Sequence, residues 1–319
     1  NFKPSKFLTI KNFENALTIL SAVGGSTNGI VHLTAMAGRL GFDLNLNEFD
    51  KMTKDTPMIV DLKPSGVGYM EDLFKSGGLP RILVELKDYL HLDTMTVSGE
   101  TLRALIEKSK YNWKQEIIRK TDNPIFEKGS IAVLTGNLAP GSAIIKQSAA
   151  SKELLLHEGI VEVFENLEDL ANRIDSEELN VTKDSILLLR NIGPIGAPGM
   201  PEAGLIPIPK KLAKIGVKDM VRISDGRMSG TASGTIVLHV CPEAAAGGTL
   251  NIVESGDVIK LDVVNRSIEL ILSDEEINLR KKKKNMKEIV KRRGYNKIFH
   301  EHVLQADKGV DFDFLRPID

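Results

Sequence analysis

The sequence predicts an α/β protein in which a helical first third precedes a barrel-like array of short strands with helices between them. Apolar residues recur at helical spacing in "NFENALTILSAV" and "GIVHLTAMAGRL" near the start of the chain. From "GSIAVLTGNLAPGSAIIK" onward, β-branched runs are interrupted by Gly and Pro, which is typical of strands and tight turns. Because no Gly-x-Gly-x-x-Gly loop follows a strand, the pattern favours a closed or half-closed barrel over a dinucleotide-binding sheet.

The chain is long enough for two domains, since 319 residues exceed the usual size of one hydrophobic core. The change from helical to strand-like patterning follows Trp113 and precedes the turn at Pro124. We therefore place a domain boundary near residue 118, which gives a first domain of residues 1–118 and a second of residues 119–319.

The second domain contains a series of predicted strands. "GIVEVFEN", "DSILLLRN", "DMVRIS" and "TIVLHVC" are strand candidates, and "LEDLANRI" and "IPKKLAKIG" are helix candidates. "GDVIKLDVVNRSIELIL" predicts a hairpin that turns at residues 264–266. The run "SDEEINLRKKKK" predicts a helix capped by Ser273, with acids in its first turn and bases behind them. Lys281 to Lys284 then form a solvated helix face, with nucleic-acid or anionic-lipid binding as the alternative.

Composition excludes several classes of protein. A net charge of −1 and an aromatic fraction of 5% give no basis for nucleic-acid binding, and no apolar run is long enough to cross a bilayer. The single cysteine, Cys241, excludes an intramolecular disulfide and any iron–sulfur cluster held only by thiolates of this chain. It also suits a reducing compartment, so we expect a cytoplasmic protein. Because the chain opens on Asn1 rather than Met, we expect it to be part of a longer protein.

Two polar turns could carry chemistry. "GGSTN", residues 24–28, marks a helix N-terminus, which is either an ordinary capped turn or a place where free N–H groups favour an anion. "VRISDGRMSGTASG", residues 221–234, is either a tight turn between two strands or an active-site loop that holds a hydroxyl near a substrate.

Six segments in order resemble the dihydroxyacid dehydratase and phosphogluconate dehydratase family. They are "VGGSTNGIVHLTAMAGRLG", "PSGVGYMEDLFKSGGLP", "TDNPIFEKGSIAVLTGNLAPGSAIIK", "GPIGAPGMPEAG", "ISDGRMSGTASGTIVLHVCPEAAAGG" and "SDEEINLRKK". The resemblance covers essentially the whole chain and corresponds to the C-terminal half to two-thirds of the family's proteins. It implies the helical remainder of an N-terminal αβα domain, followed by a swivel-type barrel domain. "PIPKKL", "RMSGTASGT" and the tail "RGYNKIFHEHVLQADKGVDFDFL" look most like the sugar-acid branch, the arabinonate and xylonate dehydratases.

The resemblance also implies an activity. Members of the family are hydro-lyases that remove water from a 2,3-dihydroxy acid to give a 2-keto-3-deoxy acid, with a magnesium ion and an iron–sulfur cluster as cofactors. We therefore expect a sugar-acid substrate and a homodimer or homotetramer, with the cluster ligands outside this chain and Cys241 as a small buried residue. The alternatives are a branched-chain dihydroxyacid dehydratase, or an incomplete fragment that serves as a binding or regulatory subunit. An aconitase-like swivelling domain is disfavoured by "PEAAAGG" and "GNLAPG".

Three site residues follow from the family's motifs. Ser229 matches the catalytic serine that acts as the base, Glu202 matches a magnesium ligand, and Thr231 is a candidate for holding the substrate carboxylate. Without the resemblance, Ser229 would be interpreted as a turn serine and Glu202 as a surface glutamate. Because base and metal must act on one substrate, we expect "SDGRMSG" and "GAPGMPEAG" to meet, with Ser229 facing a cleft lined partly by the N-terminal region.

Overall fold

A computed structural model describes residues 3–230, 232–284 and 293–317. The α-helices are α1 Pro4–Phe7, α2 Ile10–Ala22, α3 Asn28–Arg39, α4 Leu46–Thr53, α5 Met70–Lys75, α6 Gly78–Glu85, α7 Leu102–Lys108, α8 Leu167–Arg173, α9 Lys210–Lys214, α10 Asp274–Lys283 and α11 Tyr295–His302. The strands are β1 Ala132–Leu134, β2 Ser142–Ile145, β3 Leu156–Phe164, β4 Ile186–Leu189, β5 Arg222–Ser224, β6 Ile236–Cys241, β7 Val258–Asp262 and β8 Ser267–Leu270.

The first part of the chain is helical, as its periodicity predicts. α2 begins with a capping box in which the side chains of Thr9 and Asn12 satisfy backbone N–H groups that the helix leaves free. Its apolar face buries Phe13 and Leu17 against Ile30 of α3, because these side chains recur on one side of each helix. This packing fixes the turn between α2 and α3, which contains "GGSTN".

The segment around the predicted domain boundary pairs with the helical part. Met58 bridges Phe126 and Val60 bridges Ile118, each as an isolated antiparallel bridge rather than a regular strand. This segment therefore pairs through single bridges and forms no regular strand. The predicted boundary near residue 118 falls inside this paired segment and stays a prediction.

The second part is a sheet of eight strands in the order β1-β2-β6-β5-β4-β3-β7-β8. Its two edge strands meet, since Thr135, directly after β1, bridges Ser267 of β8. Two hydrogen bonds close this seam, from Thr135 N to Arg266 O at 3.0 Å and from Ile268 N to Thr135 O at 2.9 Å. Closure leaves no long unpaired edge. The predicted α/β fold with a barrel-like sheet is confirmed.

Alternate residues of each strand face opposite sides of the barrel wall. Ile186 and Leu188 of β4 belong to the interior core, whereas Leu187 and Leu189 pack outside with α8 and α9. Val133 of β1 likewise points outward into the core formed with α2, α3 and α4. Because both faces of β1, β2, β4 and β6 are covered, these strands are buried along their whole length, whereas β7 and β8 alternate between buried and more exposed residues.

The parallel arrangement of β3, β4, β5 and β6 positions the polar loops. β3 pairs in parallel with β4, β4 with β5, and β5 with β6. The carboxyl ends of β4 and β5 therefore lie at one edge of the barrel, where the segments that follow them begin side by side. The segment after β5 must then travel along the outside of the barrel to reach the start of β6.

The predicted C-terminal elements are also present. β7 and β8 form the expected hairpin, and the Ser273 hydroxyl accepts the Glu276 N–H at 3.2 Å to cap α10. Arg280 of α10 is held by Asp257 at 2.7 Å. Across the described residues, no helix combines the length and the apolar character needed to cross a membrane.

Candidate functional site

Ser229 lies in the loop of residues 225–235, here called the serine loop, which joins β5 to β6. The loop begins at Asp225, whose carboxylate accepts N–H groups from Asn191 and Ile192 at 3.1 Å each and from Ala244 at 2.9 Å. Burial raises the pKa of Asp225 to about 6, although the three N–H groups favour its charged form. These bonds tie the first residue of the loop to the segments that follow β4 and β6.

The other end of the serine loop is held by a buried ion pair. Arg222 donates from Nη2 to Asp219 Oδ1 at 2.6 Å, and both side chains are almost fully buried. Asp219 Oδ2 also accepts the N–H of Thr235 at 2.9 Å and its hydroxyl at 2.8 Å. Burial acts to raise the pKa of Asp219, but the bonds from Thr235 and Ser151 and the charge of Arg222 outweigh it and lower that pKa.

Glu202 lies in the segment of residues 193–204, here called the glutamate turn, which follows β4. Glu202 and Arg227 form a parallel bridge, in which Ala203 N donates to Arg227 O at 2.9 Å. Arg227 in turn donates from Nε to Met200 O at 2.5 Å. The structure thus joins the serine loop to the glutamate turn through backbone pairing, and the expected meeting of these two segments is confirmed.

Asn28, the first residue of α3, connects both segments to the helical part. Its Nδ2 donates to Glu202 Oε1 at 2.5 Å and to the carbonyl of Met228, next to Ser229, at 3.3 Å. Asn28 is buried, and its Oδ1 has no hydrogen-bond partner among the described residues. One side chain therefore orients the Glu202 carboxylate and fixes the backbone beside Ser229.

The "GGSTN" turn packs directly against the serine loop. A Cβ added at Gly230 would lie 3.0 Å from Ser26 Cβ and Oγ, so a larger residue here would require Ser26 to shift. The Ser26 hydroxyl accepts the Asn28 N–H at 3.2 Å and helps to start α3. The turn is therefore more than a connection between two helices, because it forms one wall of the space around Ser229.

Ser229 is half-buried and opens onto a small pocket with a volume of about 20 Å³, which is room for roughly one water molecule. Ser26 and Thr27 line it from the helical part, and Ile236 and Leu238 line it from the outer face of β6. The expectation that Ser229 faces a cleft lined partly by the N-terminal region is confirmed.

Lys146 also lines this pocket, directly after β2. Burial lowers the pKa of its amine to about 8. Within the described residues, no carboxylate lies within ion-pair distance of Lys146. In the sequence, Asn28 stands out only as the last residue of the "GGSTN" turn, and the local signal for Lys146 is a lysine directly after the apolar run "AII".

Two other predicted residues have different outcomes. Thr231 lies outside the described residues, so its role stays a prediction. Cys241 is buried at the end of β6, as expected, and its thiol donates to Asp307 Oδ1 at 3.1 Å. Burial and the Asp307 carboxylate raise the pKa of this thiol. It is therefore not a thiolate available to a metal.

The residues present fit a magnesium ion in part and an iron–sulfur cluster not at all. Nowhere in residues 3–230, 232–284 or 293–317 do three His, Cys, Asp or Glu side chains form a group that could hold a metal. Glu202 is exposed, and Asn28 hydrogen-bonds to only one of its two carboxylate oxygens. The other oxygen is a hard donor of the kind that magnesium prefers, so Glu202 could supply one ligand to the ion. A cluster would need several thiolates, and this chain has one buried thiol.

The described site thus brings together a hydroxyl, an amine and a carboxylate. Ser229 and Lys146 share one pocket, and Glu202 is attached to the same loop by the Arg227 bridge and by Asn28. A hydroxyl beside an amine can exchange a proton, and an oriented carboxylate can bind a cation. This combination suits proton abstraction from a substrate that a cation holds.

Comparison with known proteins gives matches over nearly the whole chain. Residues 1–105 match the family model described as dihydroxy-acid/6-phosphogluconate dehydratase N-terminal, and residues 116–310 match the corresponding C-terminal model. The L-arabinonate dehydratase of Rhizobium leguminosarum bv. trifolii is 46% identical over 99% of this chain and 55% of its own length.

Two further relatives differ in what their names say they act on. The 6-deoxy-6-sulfo-D-gluconate dehydratase of Pseudomonas putida is 42% identical over 98% of the chain and 55% of its own length. The dihydroxy-acid dehydratase of Acetivibrio thermocellus is 39% identical over 97% of the chain and 55% of its own length. The chain therefore spans about half the length of the curated relatives that it matches.

Proposed function

Because the chain belongs to the dihydroxy-acid/6-phosphogluconate dehydratase family, we propose that it forms part of a hydro-lyase that dehydrates a 2,3-dihydroxy sugar acid to a 2-keto-3-deoxy acid. One observation carries the proposal. Asn28 holds the Glu202 carboxylate and the backbone beside Ser229 at the same time, so a metal ligand and a base would face one substrate. A turn serine and an unrelated surface glutamate would need no such connection.

Ser229 is the proposed base for the C2 proton. Proton abstraction beside a carboxylate is difficult because the new negative charge forms next to an existing one. A serine hydroxyl is a weak base until a neighbour removes its proton or positive charge stabilises its alkoxide. Ser229 opens onto a pocket with a volume of about 20 Å³, in which this residue is only partly exposed to water.

Glu202 is the proposed magnesium ligand. When bound, the ion offsets the charge on the substrate carboxylate and polarises the neighbouring hydroxyl. Asn28 donates a hydrogen bond to one oxygen of the Glu202 carboxylate and so fixes the orientation of the other oxygen. Hydrogen bonds of this kind commonly orient metal ligands. The described residues contribute this one carboxylate, so other ligands would come from water, the substrate and residues outside the described part of the chain.

Further parts of the proposal rest on the family alone. Thr231 would hold the substrate carboxylate, and the iron–sulfur cluster would be held by residues other than those of this chain. We also propose a homodimer or homotetramer, as the family resemblance implies, and a cytoplasmic location, which the single cysteine suits.

A sugar acid is favoured over a branched-chain acid as the substrate. The relatives named for arabinonate and sulfogluconate share a larger fraction of residues with this chain than the relative named for dihydroxy acids does. The "RMSGTASGT" motif and the C-terminal tail support the same choice.

A substrate comparison tests the proposal. The enzyme in its natural full length is incubated with five- and six-carbon aldonic acids and, separately, with a branched-chain 2,3-dihydroxy acid, and release of 2-keto acid is measured. We expect faster release from the aldonic acids. A clear preference for the branched-chain acid would refute the substrate class, and release from neither would refute the dehydratase activity.

A further inference from the structure

Lys146 occupies a position that the proposed function leaves unexplained. It follows β2 on the outside of the barrel, next to the start of β6, and lines the same pocket as Ser229. The pocket has a volume of only about 20 Å³, roughly room for one water molecule, and both Lys146 and Ser229 line it.

The surroundings of Lys146 are neutral. The turn before α3 presents Ser26 and Thr27, and β6 presents Ile236 and Leu238. The charged groups at the nearby end of the serine loop, Arg222 and Asp219, are paired with each other. Burial without a compensating carboxylate is what lowers the pKa of Lys146 to about 8.

Two buried arginines of the barrel differ from the half-buried Lys146 in this respect. Arg222 is paired with Asp219, and Arg190 is paired with Glu165. Arg190 also donates to the carbonyls of Leu250 and Val253 at 2.8 Å each. These arginines have structural partners, whereas Lys146 has none among the described residues.

We propose that Lys146 is the positioning residue that takes the proton from Ser229. In this step the Ser229 O–H bond breaks and its proton moves to the lone pair of Lys146 Nζ, which leaves an alkoxide and an ammonium ion. The alkoxide then takes the C2 proton of the substrate. The ammonium returns its proton, directly or through solvent, to the departing hydroxyl group, which leaves as water. The enzyme ends with a hydroxyl and a neutral amine, as it began, so protons and charges balance. This inference rests on the proposed function.

Two variants separate this role from a simple charge effect. Arginine keeps the positive charge but does not release a proton near neutral pH, and methionine keeps the length of the side chain without a basic atom. We expect Lys146→Arg and Lys146→Met each to lower kcat/KM by at least ~10²-fold in the enzyme of natural length. In the wild type, kcat/KM should rise about tenfold per pH unit below the lysine pKa and level off above about 8. That rise should be lost in both variants.

The exposed Lys152, six residues further along the chain, provides the matched control. Lys152→Arg should leave kcat/KM and its pH profile unchanged. A Lys146→Arg enzyme that keeps kcat/KM within a few-fold of the wild type would show that only charge matters and would overturn the inference. A Lys146→Met enzyme whose kcat/KM shows the same pH dependence as the wild type would also overturn the inference.

A second readout does not depend on activity. Competitive acetylation with acetic anhydride across pH 6–11, quantified by mass spectrometry, measures the titration of each lysine in the folded protein. We expect a midpoint near 8 for Lys146, and the exposed Lys152 provides the reference in the same sample. An active enzyme whose Lys146 titrates in the ordinary range would defeat this inference alone. An enzyme without dehydratase activity would defeat the proposed function, and this inference with it.

Discussion

The two ends of the serine loop differ from its middle. At one end the Asp225 carboxylate accepts three backbone N–H groups, and at the other Asp219 neutralises Arg222 and binds Thr235. In the middle, Ser229 shares a pocket with Lys146, which has no charged partner among the described residues. The charges at the two ends are paired or hydrogen-bonded, whereas the middle of the loop faces an amine that has no charged partner among the described residues.

This difference separates stability from chemistry. A buried charge that is fully paired holds the backbone in place, and removing one partner leaves the other uncompensated. A buried amine without a partner has a lowered pKa, which is a common property of groups that transfer protons. The loop therefore owes its position to its ends, and its proposed function to its middle.

The largest expected effect on stability comes from breaking the ion pair. Asp219→Ala leaves Arg222 buried without its carboxylate, so the free energy of unfolding should fall by about 3–5 kcal/mol. Denaturant unfolding measures the change. Asp184→Ala, at an exposed position, is the control and should cost less than about 0.5 kcal/mol. A loss below about 1 kcal/mol in Asp219→Ala would show that this pair does not anchor the loop.

A smaller loss is expected at the other anchor. Both Asp225 oxygens accept N–H groups, so in Asp225→Asn the new NH₂ group would face a donor, and the free energy of unfolding at pH 7.5 should fall by about 1–3 kcal/mol. The pKa of Asp225 is raised to about 6, so between the unfolded pKa and 6 the folded state holds a proton that the unfolded state has lost.

The sign of this contribution can be checked directly. The Asp225 contribution to stability should be fully present at the lowest pH and should decline as pH rises to about 6. The free energy of unfolding is measured against pH for both proteins, and subtracting the Asp225→Asn values from the wild-type values isolates the contribution of Asp225. If the wild type instead became more stable relative to Asp225→Asn as pH rises to about 6, the pKa of Asp225 would not be raised in the folded state.

The smallest effect that we predict concerns the metal. Glu202→Gln keeps an oxygen that can accept the Asn28 N–H but removes the charge, so magnesium affinity in the enzyme of natural length should fall by at least ~10-fold. Part of the lost activity should recover at high magnesium. Equilibrium dialysis gives the affinity directly. A variant with wild-type affinity, or one whose defect does not respond to magnesium, would remove Glu202 from the metal site.

Much of the fold could be predicted from the sequence. Central strands such as β4 are continuous apolar runs because both of their faces are buried, and β7 and β8 are separated by a short turn that contains Asn265 and Arg266. The pairing of Met58 with Phe126 and of Val60 with Ile118, each through a single bridge, could not be predicted from the sequence. Nothing in a local pattern reports how many residues a distant segment will pair with.

The site could be predicted only in part. Ser229 and Glu202 were identified from family motifs, and the meeting of their segments was predicted from the chemistry that they would share. Asn28 and Lys146 were missed because their contacts depend on long-range packing. Asn28 reaches Glu202 across 174 positions of sequence, and Lys146 meets the serine loop only because β2 pairs with β6. An asparagine at a helix start and a lysine after a strand are both common.

The most direct test of the comparison between the ends and the middle of the loop is Ser229→Ala. This change removes one hydroxyl from a half-buried residue and touches neither anchor. We predict a free energy of unfolding within about 0.5 kcal/mol of the wild type. We also predict a fall in the rate of sugar-acid dehydration of at least ~10²-fold in the enzyme of natural length. A Ser229→Ala enzyme with near-normal turnover would contradict the account, because the middle of the loop would then have no part in the chemistry.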